Sequence, residues 1–263
     1  ESVRTALAIF DDMDCATKTV VDITAAGIIP AALEIMDRTT IEAVERGAPV
    51  GLPRDAAAVL IIEVEGLSEQ TERAIGLAAE ICQGNQARQV KIAKDDGERQ
   101  ALWKARKGAF GAMGTLAPNY YVQDGVVPRS QLPEMMRRIA AISQQFDLPI
   151  ANVFHAGDGN LHPNILFDMR NPGELDRVVA AGAATLRACI ELGGSITGEH
   201  GVGLEKKAYI GLLFNEADLE AMTRVRKVFD PDGRFNPAKL FPTPASCGEI
   251  RLEPAKILAG LWI

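Results

Sequence analysis

The order of strand-like and helix-like stretches between residues 119 and 200 constrains the fold more than any other feature. NYYVQDGVVP (119–128) has the β-rich content of a strand, and SQLPEMMRRIAAISQQFD (130–147) has helical apolar spacing. LPIANVFH and NLHPNILFD are two strands joined by a Gly-Asp turn. Residues 172–194 form a helix with Pro172 and Glu174 in its first turn and Gly193 and Gly194 at its end, and SITGEH follows as a short strand. The order β-α-β-β-α-β predicts the ferredoxin-like arrangement, an antiparallel sheet with helices on one face.

The first half reads similarly. Strands are expected at 28–37, 57–66 and 88–95, with helices at 39–47 (N-cap Thr39 or Thr40) and 68–84 (capped by Ser68). A long helix over 97–114 leads into the second half. The expected class is therefore α+β, with two fused ferredoxin-like halves, although no sequence repeat links them, and a C-terminal helical tail stopped at Asp230-Pro231. Three segments follow: a helical lead-in or linker at 1–27, a body at 28–200 and a helical segment at 201–263. The opening ESVRTALAIFDD has no initiating Met and no signal-peptide pattern, and reads as a piece cut from a longer protein.

Composition narrows the function. A net charge of -7 argues against nucleic acid as a partner. No apolar run reaches the ~18 residues a membrane helix needs. Four cysteines without a C-x-x-C pair read as reduced thiols, hence a cytoplasmic setting.

The chain has three histidines, two of them around a Gly-Asp-Gly-Asn turn. With Asp158-Gly159 at the centre of a type I′ hairpin, His155 faces His162 on one side of the ribbon, with Cβ atoms ~5 Å apart. In SITGEHGVGLEKK, Glu199 and His200 would face opposite ways in a regular strand, but the flanking glycines relax that limit. His155, His162 and Glu199 together suit a divalent metal, zinc, manganese or iron, which leaves His200 as a base. The plain alternative for each histidine is an ordinary loop residue. Gly198 to Gly203 is a weak match to a phosphate loop. On the helix over 97–114, Trp103, Arg106, Lys107 and Phe110 form a stripe. Either the basic stems merely lie along the surface, or Arg106 grips a carboxylate.

The motifs HAGDGNLH (155–162), GEHGVG (198–203) with Lys206-Lys207, FDPDGRFNPAK (229–239), WKAR (103–106), DGVVP (124–128) and PTPASC (242–247) resemble FAD-linked 2-hydroxy-acid dehydrogenases of the vanillyl-alcohol-oxidase flavoprotein superfamily. The likeness is strongest to the D subunits of bacterial glycolate oxidases. It implies that residues 28–200 are the cap over the flavin, that 201–263 packs toward the flavin site, and that a separate N-terminal domain holds most of the FAD. His155, His162 and Glu199 match metal ligands, His200 the base, Arg106 the carboxylate clamp and Asn160 a substrate-bonding amide. Gly201, Asn236 and Lys239 match positions near the flavin.

The resemblance further implies oxidation of a small 2-hydroxy acid to the 2-oxo acid with hydride transfer to FAD. Partner subunits would include an iron-sulfur electron acceptor, and would hold the protein at the inner membrane. Members acting on dicarboxylates carry a Thr and a Lys where Phe110 and Val122 stand here, so glycolate or D-lactate is expected. The isolated fragment is expected to be inactive. Two other readings stay open: a flavin-independent metal-dependent hydrolase or oxygenase, and a non-catalytic ferredoxin-like binding domain.

Overall fold

A computed structural model describes residues 2–241. The chain runs β1 (Ser2–Phe10), α1 (Met13–Ala25), β2 (Ala32–Asp37), α2 (Arg38–Gly47), β3 (Ala58–Gly66), α3 (Ser68–Gly84), β4 (Gln89–Ile92) and α4 (Asp96–Ala112). It continues β5 (Asn119–Val122), β6 (Gly125–Val126), α5 (Leu132–Phe146), β7 (Ile150–His155), β8 (Asn160–Leu161), β9 (Pro163–Phe167), α6 (Glu174–Glu191) and α7 (Glu216–Phe229).

The first ten residues depart from the helical reading of 1–27, which holds only for α1. β1 is an interior strand, paired along its whole length with β3 and also with β4. Residues 5–10 are buried on both faces, so the polar/apolar alternation that marks a half-exposed strand is missing from TALAIF. Asp12 then starts α1 by accepting hydrogen bonds from the Asp14 and Cys15 amides, a cap worth about 1 kcal/mol. The cap of α2 is Asp37, which accepts from the Thr40 amide, rather than Thr39 or Thr40.

With β1 in place, the sheet shows two ferredoxin-like halves. The first has the strand order β4-β1-β3-β2. In the second, β5 and β6 form one interrupted strand beside β8 and β9, which pair in turn with β7, while Ser195 bridges to Val126 as a vestige of a fourth strand. The halves join edge to edge through the antiparallel β2–β7 pair, where Glu34 lies opposite His155.

Helices α1, α3, α5 and α6 cover one face, with Val20, Ile23, Ile75, Ile139 and Val178 packed on Phe10, Leu60, Ile62 and Phe154. On the other face α2 and α4 pack Ile41, Val44, Ala105 and Ala109 onto Ile9, Met36, Ile61 and Val153. This second face is the one from which the polar site rises. Beyond α6, a short 3-10 helix (Lys207–Leu212) precedes α7. The PTPASC motif and the rest of the 201–263 segment beyond Phe241 lie outside the described residues. No described helix is long and apolar enough to cross a membrane. Cys15, Cys82 and Cys189 are free thiols, and Cys247 lies outside the described residues.

Candidate active site

The seam between the halves supplies the first pair. Glu34 of β2 is buried, and its Oε1 lies 2.6 Å from His155 Nδ1 across the strand pair. Its Oε2 accepts a hydrogen bond of 2.8 Å from Arg106 Nε, which descends from α4. Arg106 is itself buried and lies over the Phe110 ring, with its guanidinium carbon 5.9 Å from the centroid. Trp103 is held by Glu63, whereas Lys107 is exposed and leaves the stripe expected from spacing alone.

His162 stands at a break in the sheet. The β5–β9 and β6–β8 registers are continuous with each other, but pairing lapses at Gln123, Asp124 and His162. Gln123 N there donates to Pro163 O, and Gln123 O lies 3.4 Å from His162 Nδ1. The hairpin differs from the two-residue turn expected. Residues 156–159 form a four-residue turn, and His155 is paired with Asn160 rather than His162. A register shift of two residues keeps every side chain on its face, so the imidazoles still meet, with centroids 5.4 Å apart and planes at 85°. Gly159 is required in this turn: its φ is +70°, and a Cβ would collide with the Val127 carbonyl.

Asp124 organises the third element. Its carboxylate accepts from Thr197 Oγ1 (2.6 Å) and from the amides of Gly198 (3.1 Å), Glu199 (3.2 Å) and His200 (3.0 Å). Lys206 Nζ adds a bond of 3.0 Å. Burial opposes ionisation of Asp124, but the hydrogen bonds from Thr197, Lys206 and His200 outweigh it and hold the carboxyl well below its ordinary range. The loop so fixed brings Glu199 Oε1 to 2.9 Å from His162 Nε2, 3.8 Å from His155 Nε2 and 3.7 Å from His200 Nε2. The His200 ring stacks on His162 at 5.1 Å.

One ligand atom each of His155, His162 and Glu199 lies within 4.8 Å of the others. With Nδ1 of His155 turned to the Glu34 carboxylate and Nδ1 of His162 to a carbonyl, both Nε2 lone pairs converge on Glu199. Burial lowers the basicity of His162, which favours the neutral ring. The hydrogen bond to Glu34, then the charge of Glu34, raises that of His155, and high affinity for a proton at Nε2 is also affinity for a metal cation. Two imidazoles in their neutral form and a carboxylate fit a divalent ion with positions left for other ligands.

The remaining expected residues are placed as follows. Asn160 is buried with its Oδ1 unpartnered among the described residues and packs against Gly198. Gly201 is exposed with φ +80° and donates to Thr197 Oγ1. Asn236 and Lys239 are exposed and bond to each other at 3.3 Å. Their segment is tied to the loop after His200 by Leu240 N to Gly203 O and Lys207 Nζ to Ala238 O. Sequence reasoning passed over Glu34, and gave Asp124 and Lys206 no role. The available signals were an acidic residue inside the apolar run ALEIMD and the Asp-Gly pair that interrupts the strand at 124–125.

Residues 1–240 match the family model "FAD linked oxidases, C-terminal domain". The chain is 44% identical over 246 residues to glycolate oxidase subunit GlcD of Escherichia coli K12, covering 94% of this chain and 49% of that protein. Against glycolate oxidase subunit GlcD of Bacillus subtilis it is 41% identical, with 93% and 52% covered. Against a probable mitochondrial D-lactate dehydrogenase of Danio rerio it is 32% identical, with 91% and 48% covered. The chain thus spans about half the length of the curated relatives it matches. Among solved structures, p-cresol methylhydroxylase with substrate bound shares the fold at a TM-score of 0.69 and 12% identity, covering 90% of this chain and 52% of that one.

Proposed function

Because this chain belongs to the FAD-linked oxidases, as their C-terminal domain, we propose that it is the substrate-binding half of a flavoprotein that oxidises a small 2-hydroxy acid, glycolate or D-lactate, to the 2-oxo acid. The observation that carries the reading is the convergence of His155, His162 and Glu199 beside the buried Arg106. These three residues would hold a zinc, manganese or iron ion, which when bound supplies Lewis-acid stabilisation to an alkoxide forming at the substrate. A flavin carried by an N-terminal domain supplies the two-electron acceptor.

The chain's own groups do the rest. Arg106 presents its Nη atoms to the substrate carboxylate, since Nε is committed to Glu34. His200 takes the 2-hydroxyl proton at Nε2, and its stacking on His162 keeps the ring beside the ligand set. The Asn160 amide orients the substrate. Phe110, edge-on to His162 with centroids 6.1 Å apart, closes the site against water and offers no polar group to a second carboxylate. Gly201, Asn236 and Lys239 face the flavin. The protein works in the cytoplasm, with other glycolate oxidase subunits, including an iron-sulfur electron acceptor, docking it at the inner membrane.

The test uses the full-length flavoprotein under anaerobic conditions. Glycolate or D-lactate should bleach the flavin absorbance, and His200→Gln should slow bleaching ~100-fold or more while substrate still binds. The flavin-free fragment should fold but reduce no dye. Turnover by the fragment without flavin would instead favour a metal-dependent hydrolase or oxygenase.

A further inference from the structure

We propose that Glu34 is a positioning residue that couples the metal-holding side of the site to the substrate clamp, an inference that rests on the functional reading above. Glu34 is 5% exposed, and its two oxygens are divided between two partners, Oε1 to His155 Nδ1 at 2.6 Å and Oε2 to Arg106 Nε at 2.8 Å. Each contact decides how its partner faces the site. A proton on His155 Nδ1 is directed at Glu34, so the ring turns Nε2 toward Glu199 as a lone pair. Arg106, held through Nε, is left with its Nη edge for a ligand.

The location makes the link rigid. Glu34 and His155 are register partners in the β2–β7 pair that joins the two halves, and Ile35↔Phe154 and Met36↔Val153 continue the ladder. Arg106 comes from the helix that connects the halves, so one carboxylate from the first half sets a histidine of the second and an arginine of the connection. The arrangement also balances charge: the carboxylate offsets a buried guanidinium.

Glu34→Gln tests this, because it keeps the shape but not the chemistry. A glutamine oxygen can accept from His155 or from Arg106, and the other partner then meets an NH2 group, donor against donor. In the full-length, flavin-loaded protein, zinc affinity is measured by chelator competition and KM and kcat for glycolate by steady-state kinetics. The expected result is a loss of zinc affinity of about 10- to 100-fold and a higher KM in a variant that stays folded and keeps its flavin spectrum, with a melting temperature lowered because the buried Arg106 loses its carboxylate partner. The rise in KM should add little in an Arg106→Ala background, because Glu34 acts through Arg106; a merely structural role would give additive effects.

Wild-type zinc affinity in folded Glu34→Gln, or additive KM effects, overturns the proposal. His155→Ala separates the two levels. If it leaves zinc affinity unchanged, the metal reading fails and this inference with it; if it abolishes binding while Glu34→Gln does not, only this inference fails. Should Glu34→Gln not fold, Glu34→Asp keeps the charge but shortens the reach, and wild-type zinc affinity and KM in that variant overturn the proposal equally.

Discussion

Asp124 and Lys206 form a buried ion pair, Oδ2 to Nζ 3.0 Å, with side chains 0% and 4% exposed. The pair is the root of the Glu199 loop, since the same carboxylate gathers the amides of residues 198 to 200. Asp124→Asn strands the Lys206 ammonium in a buried place. It should destabilise the protein by about 3–5 kcal/mol in urea unfolding, and raise hydrogen exchange at residues 197–201.

Acid should remove that difference. The folded state holds the Asp124 carboxyl below its ordinary value, so the unfolded chain binds the proton first as pH falls. The stabilisation is complete above the unfolded value of ~3.9 and is lost as pH drops through it toward the folded value. The gap in unfolding free energy between wild type and Asp124→Asn should therefore hold steady above about pH 5 and shrink progressively as pH falls through about 4 and below. A gap that stays constant or widens on acidification would contradict the assignment.

Gly198→Ala should damage the site and spare the fold. A Cβ at 198 would lie 2.5 Å from Asn160 Oδ1 and 2.6 Å from its Cγ, inside contact distance of a buried side chain. The loop must then shift and carry Glu199 off the two imidazoles. Zinc affinity should fall at least ~10-fold by chelator competition, with the far-ultraviolet circular dichroism unchanged.

Arg106→Lys should cost more than its conserved charge suggests. A single ammonium cannot bond Glu34 and fork a substrate carboxylate at the same time. In the full-length enzyme, kcat/KM for glycolate should drop at least ~10-fold, about 1.4 kcal/mol, mainly through KM.

Substrate size provides the last test. Phe110 packs against both Arg106 and His162 and offers no hydroxyl or cation to a second acid group. Glycolate or D-lactate should therefore exceed D-2-hydroxyglutarate by at least ~10-fold in kcat/KM, because a carboxylate left poorly compensated near an apolar ring costs on the order of 1 to 3 kcal/mol. Steady-state kinetics on the three acids decide it.

What could be read from residues alone was whatever depends on local periodicity and on residue type. The β-α-β-β-α order of the second half, though not the closing strand expected at SITGEH, of which only the Ser195 bridge forms, the helices around Ala105 and Ile139, and the gathering of three histidines in two glycine-rich stretches are all local signals. The face shared by His155 and His162 could also be read, because a strand's period of two survives an error of two in register. Only tertiary structure decided the rest. β1 became recognisable when β3 and β4 covered its edges and helices its faces, which is why TALAIF lacks alternation. Glu34 meets Arg106 across 72 positions and His155 across 121, and Asp124 reaches the Glu199 loop across 75. No spacing rule extends over such separations. The partners of Glu34 are chosen when the two halves join through β2 and β7, where a buried carboxylate must find donors and the fold supplies an arginine and an imidazole, while Asp124 finds its loop within the second half, beside the Val126–Ser195 bridge.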